Sequence, residues 1–142
     1  MLSSRFPKYS KASALTLIDA LEQQILLIDG AMGTMIQRHK LTEDDFRDHK
    51  DLKAHKHPLK GNNDLLSLTQ PKIIQDIHEA YLAAGSDIIE TNTFNSNPIS
   101  LEDYEQSDLT YEMNIASATL ARKACDKYSA LTPEKPRFVA GS

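Results

Sequence analysis

The alternation of apolar and polar positions divides the chain into a leading helix and three short apolar runs separated by longer helices. Ala14, Leu17, Ile18 and Leu21 recur at helical spacing while Asp19, Glu22 and Gln23 stay polar. That pattern predicts an amphipathic helix over 13–24, covering part of a core. Residues 25–28, ILLI, are β-branched at both ends and stopped by Asp29-Gly30, the form of a buried first strand. Residues 40–63 are densely charged, carry Pro58 and Gly61 and show one weak helical turn around "TEDDF", so they read as a long excursion over the surface.

The next segment, "SLTQPKIIQDIHEAYLAAG", predicts a helix with Thr69 as N-cap and Pro71 in its first turn. Ile73, Ile74, Ile77, Tyr81 and Leu82 share one face, and Gly85 is the stop. A second strand follows over 87–94, then polar sequence, then a helix over 109–128 whose inner stripe is Met113, Ala116, Leu120, Ala121 and Ala124. "TPEKP" breaks that helix and "RFVAGS" begins a third strand. A leading helix followed by β, α, β, α, β implies an α/β fold with parallel strands, right-handed crossovers and helices packed outside.

Composition narrows the class of protein. The 142 residues suffice for one domain with a sizeable core. With 20 acidic against 16 basic side chains, a net charge of -4 points away from nucleic acid and anionic membranes. One cysteine, Cys125, excludes an internal disulfide, and the absence of a glycosylation sequon agrees with a cytoplasmic location. No apolar run approaches the roughly 20 residues that span a bilayer. Residues 1–18 hold Arg5, Lys8, Lys11, four serines and no acid, so a transit peptide stands as the alternative to the amphipathic helix there.

Candidate chemistry gathers at the carboxyl ends of the first two strands, the side on which parallel α/β folds bind ligands. "DGAMGT", residues 29–34, places Asp29 beside two glycines at a strand-to-helix junction. Two readings stand: free backbone NH groups receiving an anion, or a tight turn with Asp29 as helix cap. It lacks the spacing of a dinucleotide or nucleotide loop. "DIIETNTF" turns abruptly from Ile88-Ile89 to Glu90, Thr91, Asn92 and Thr93, which reads either as a polar pocket rim or as a strand emerging into solvent. His49, His55 and His57 are interleaved with lysine and read as a solvated loop rather than a metal site. "LEDYEQSD" reads as a hydrated face. His78 and Cys125 fall inside helices, the cysteine as a small core residue.

The blocks "LLIDGAMGT", "LKGNNDLL", "AGSDIIETNTFNS" and "TPEKPRFVAG", in this order, resemble the amino-terminal homocysteine S-methyltransferase module of the cobalamin-dependent methionine synthases over about residues 20–142. The resemblance implies a (β/α)₈ TIM barrel, of which this chain holds about three βα units: 1–24 as an extension with a capping helix, 25–142 as a partial homocysteine-binding barrel. In that family zinc makes the homocysteine thiolate, which takes the methyl group of methylcobalamin; 5-methyltetrahydrofolate remethylates cobalamin on downstream folate, cobalamin and activation modules. Metal binding matters because a free thiol, pKa about 8.5, is mostly protonated at neutral pH. By position, Asp29 is implied to hold the homocysteine ammonium and the NH groups around Gly30, Ala31 and Met32 its carboxylate, with Glu90, Thr91, Asn92 and Thr93 lining the pocket mouth. The family's zinc ligands are three cysteines from later strands, so this segment is expected to hold no metal or catalytic residue and to be inactive alone. A homocysteine methyltransferase using betaine or a methylsulfonium donor, and a noncatalytic binding domain, are the alternatives.

Overall fold

The computed structural model describes the backbone of residues 11–142 and side chains from residue 16 onward. The basic segment before residue 11, on which the transit-peptide reading rests, lies outside the described residues. Seven α-helices and two strands follow in the order α1 (Lys11–Gln23), α2 (Met32–Gln37), α3 (Glu43–Phe46), α4 (Leu66–Thr69), α5 (Pro71–Ala84), β1 (Ile88–Glu90), α6 (Pro98–Glu102), α7 (Thr110–Leu131) and β2 (Phe138–Ala140), counting the described residues, with short 3-10 turns at Asn63–Leu65 and Ser107–Leu109.

β1 and β2 pair in parallel, Ile88 opposite Phe138 and Glu90 opposite Ala140. The predicted first strand is reduced to a single parallel bridge, Ile28 to Ile88, supported by Asp29 N–H donating to the Ile88 carbonyl at 2.9 Å. Most of its apolar side chains find no cover: Ile25 is 89% exposed, Leu27 and Ile28 are also exposed, and Leu26 is half-buried. The expected core role of α1 is corrected in the same way, since Ile18 and Leu21 point to solvent. An apolar stripe becomes a buried face only when another surface meets it.

α5 forms where the pattern placed it. Pro71 at the first turn has its φ already set for a helix, and Gly85 ends it at φ 115, a left-handed conformation that any side chain would strain. Ile74, Ile77 and Leu82 are buried. Thr69 is not the cap: it closes α4, and Gln70 precedes α5 without a side-chain cap bond. α7 packs along α5, with Met113, Ser117, Ala121, Ala124 and Cys125 inward and Ala116 and Leu120 only half-buried. Small residues at 121 and 124 let the helix approach Ile89 and Val139 closely.

The excursion departs most from expectation. Phe46, Leu52 and Leu59 enter the larger core cluster with Ile36, Leu65, Leu66, Ile74 and Met113, Leu59 at 0% exposure. The charges themselves build the structure that buries them. Thr42 and Asp45 form a reciprocal capping box on α3. Glu43 then accepts from the amides of Leu59 and Lys60, both at 2.8 Å, and pairs with Arg47 at 2.8 Å. "LEDYEQSD" is likewise not a purely hydrated face, because Leu101 and Gln106 are buried.

Candidate functional site

The carboxyl ends of the Ile28 bridge and β1 open into a cleft of about 310 Å³. Asp29, Gly30, Ala31, Met32, Glu90, Thr91, Asn92 and Thr93 all line it, so side chains some 60 positions apart in sequence share one wall. The parallel bridge brings them together: with Ile28 opposite Ile88, Asp29 Oδ1 accepts from the Glu90 amide at 3.0 Å.

Asp29 is therefore not the cap of α2. Ala31 occupies that position at φ 23, ψ 52, a left-handed geometry unusual for a residue with a Cβ. The turn leaves the amides of Gly30, Ala31 and Met32 with no hydrogen-bond acceptor among the described residues. Burial pushes the Asp29 carboxyl up to about 6, reinforced by the charge of Glu90 and opposed by the Glu90 amide.

The polar rim divides by task. Thr91 and Thr93 Oγ1 stand 2.6 Å apart, and the Ser142 amide donates to Thr91 Oγ1 at 3.2 Å, so these hydroxyls tie β1 to the chain beyond β2. Asn92 is turned inward, whereas Glu90 is exposed and Phe94 is 82% exposed.

Sequence reasoning missed Gly61, Asn63 and Asp64, which complete the cleft. Gly61 has φ 108 and lies where a Cβ would come 3.3 Å from Tyr104 Oη. Asp64 is buried and accepts from the Asn95 amide at 2.6 Å and Ser96 Oγ at 3.1 Å, holding the loop after β1. Burial raises its carboxyl, and those donors oppose the rise. The available signal was "GNND": a glycine and three Asx residues just before a helical run, where side chains bond to nearby backbone.

The described residues do not fit a zinc ion. No three His, Cys, Asp or Glu side chains gather among them at metal-binding spacing. Cys125 lies buried in α7, its sulfur donating to the Phe138 carbonyl at 3.4 Å, and burial pushes its thiol up to about 11, the reverse of what metal ligation requires. His55 is engaged instead with the Tyr104 carbonyl at 3.0 Å. No helix is long and apolar enough to cross a membrane among the described residues.

An α/β chain with its cleft at the carboxyl ends of parallel strands places the site where barrel enzymes carry theirs. The homocysteine S-methyltransferase family model matches residues 26–142, and the chain belongs to that family. Its fold is similar to the homocysteine methyltransferase MmuM from Escherichia coli. The oxidised form aligns with a TM-score of 0.67 at 25% identity, covering 88% of this chain and 39% of that one. The metallated form gives 0.64 at 23% identity, covering 85% and 38%, and the apo form 0.56 at 26%, covering 85% and 37%. The chain thus spans under two fifths of the length of these structures, and the likeness is to part of their fold.

Proposed function

We propose that this chain is the homocysteine-binding portion of a methyltransferase that forms methionine, with residues 25–142 as part of its barrel and residues 1–24 as an extension. The observation that supports this is one juxtaposition. The Asp29 carboxylate and the unbonded amides of Gly30, Ala31 and Met32 face the same cleft, an acceptor and a set of donors suited to the two charged ends of an amino acid. Asp29 binds the ammonium and the turn binds the carboxylate, while Glu90, Thr91, Asn92 and Thr93 line the cleft beside them. The side chain carrying the thiol then extends toward the rest of the barrel. Zinc, methylcobalamin and 5-methyltetrahydrofolate belong, in this reading, to other parts of the parent enzyme, and this segment alone transfers no methyl group. The "LKGNNDLL" and "TPEKP" blocks favour the cobalamin-dependent branch. The likeness to MmuM favours the second reading, a homocysteine methyltransferase of that type.

Calorimetric titration with homocysteine tests the site. Asp29→Asn is expected to weaken binding by about tenfold or more, since a charge-assisted contact contributes roughly 1.5–3 kcal/mol. With Asp29 near 6, its ionised fraction rises from about one tenth at pH 5 to nearly all at pH 7.5. Homocysteine keeps both its ammonium and carboxylate over that range, so affinity should rise about tenfold with pH in the wild type and stay flat in Asp29→Asn. Unaltered affinity in the variant removes Asp29 from the site. Supplying the full-length parent with methylcobalamin or with a methylsulfonium donor separates the two branches.

A further inference from the structure

Directly beneath the cleft lies a buried polar circuit. Asn92 Nδ2 is 2.9 Å from the Asn63 carbonyl and 3.4 Å from Ser67 Oγ. Ser67 Oγ and Ser117 Oγ are 2.6 Å apart, and Ser117 Oγ is 3.0 Å from the carbonyl oxygen of Asn92 itself. All three side chains are buried, Ser117 at 0% exposure. Their hydrogens can be assigned by counting. The Asn63 carbonyl only accepts, so the Asn92 atom facing it is the NH₂ group. Each serine has a single hydrogen. Ser117 gives its hydrogen to the Asn92 carbonyl, Ser67 gives its own to Ser117, and the second Asn92 N–H enters Ser67. Every donor is then used once, and the ring runs from the Asn92 side chain through α4 and α7 back to the Asn92 backbone.

With both amide hydrogens committed, the Asn92 side chain has one polar atom free: Oδ1, which has no partner among the described residues and is not sealed in the interior, on a residue that lines the cleft. We infer that Ser67 and Ser117 are positioning residues for the ligand. By locking the Asn92 amide, they present its Oδ1 as a fixed acceptor for the α-ammonium of the amino acid bound in the cleft. This rests on the homocysteine reading and adds a determinant of specificity to it, because the ring rejects the flipped amide that would offer NH₂ to a cation. α7 thereby contributes to ligand recognition through Ser117, a residue that never touches the ligand.

The test uses the 142-residue chain and two ligands, homocysteine and 4-mercaptobutanoate, which is homocysteine without its ammonium. Ser117→Ala, Ser67→Ala and Asn92→Ala should each weaken homocysteine by about tenfold. Binding of 4-mercaptobutanoate should change by less than about twofold in the two serine variants, because the group read by Oδ1 is absent. Equal losses on both ligands would mean that the serines merely support the fold, and undiminished homocysteine binding would remove Asn92 as an acceptor; either result overturns the inference. Hydrogen exchange of the Asn92 side-chain amide, followed by NMR without ligand, should be slow in the wild type and fast in Ser117→Ala; equal rates would sink the circuit while leaving the homocysteine site standing. A wild-type chain that binds neither ligand removes the homocysteine reading and this inference with it.

Discussion

The charged excursion over 40–63 and the oily segment over 17–28 exchange the roles that their compositions imply. The first contributes Phe46, Leu52 and Leu59 to the core, whereas the second leaves Ile18, Leu21, Ile25, Leu27 and Ile28 exposed. The excursion is buried because its polar groups have partners: the capping box on α3 and the Glu43 carboxylate fold it back until three apolar side chains meet α2, α4 and α5. The oily segment has the apolar residues and lacks the facing surface. Burial belongs to pairs of surfaces, and a stripe on one element specifies only half of a pair.

The largest expected effect tests that contrast directly. Leu59→Ala should cost about 2–5 kcal/mol, the range for emptying a closed core site, and Leu27→Ala less than about 0.5 kcal/mol, both read by chemical denaturation. Similar losses at the two positions would show that the first apolar run is packed after all.

The second effect comes from a polar residue inside the core. His78 on α5 is fully buried with neither ring nitrogen bonded among the described residues, and burial pushes its pKa down to about 4. The folded chain keeps it neutral, whereas the unfolded chain takes up a proton near 6.5, so stability falls as pH drops below 6.5 and levels off near 4. The wild type should lose about 2 kcal/mol between pH 7.5 and pH 5 from this group, and His78→Leu should abolish that part of the loss. Asp29 acts in the opposite sense, since a raised carboxyl makes stability fall as pH rises from about 4 to about 6. The comparison is therefore variant against wild type at each pH. An unchanged pH profile in His78→Leu would assign the acid sensitivity elsewhere.

The smallest effect on stability carries the sharpest reading of the exposed segment. Apolar side chains left open beside a singly bridged strand invite pairing with another chain. The purified chain should associate as its concentration rises, and Ile25→Lys with Leu27→Lys should shift it toward monomer in sedimentation, changing stability by less than about 0.5 kcal/mol. A wild type that stays monomeric throughout would show that this edge is inert.

Part of the candidate site was legible because its signals are local. Asp29-Gly30 after an apolar run marks a strand end, and Glu90 after two isoleucines marks a polar end; the eight residues that these signals and the family resemblance together single out line one cleft. For Asp64 the only local signal was the Asx-rich "GNND" turn, which does not tell a buried carboxylate from a solvated one, and Ser117 had none: a serine within a helix matches countless solvated positions.

The sequence by itself determined where α5 begins and ends, that the strands run parallel and that their carboxyl ends are polar. Proline geometry, glycine at positive φ and apolar periodicity act over a few residues and need no distant partner. Only the tertiary structure decided that the excursion is core, that the leading helix is open, that burial pushes the Asp29 carboxyl up to about 6 and that the Asn92 amide faces inward. Each of these depends on desolvation or on a hydrogen bond between groups dozens of positions apart, and such partners exist for one another only after the chain has folded.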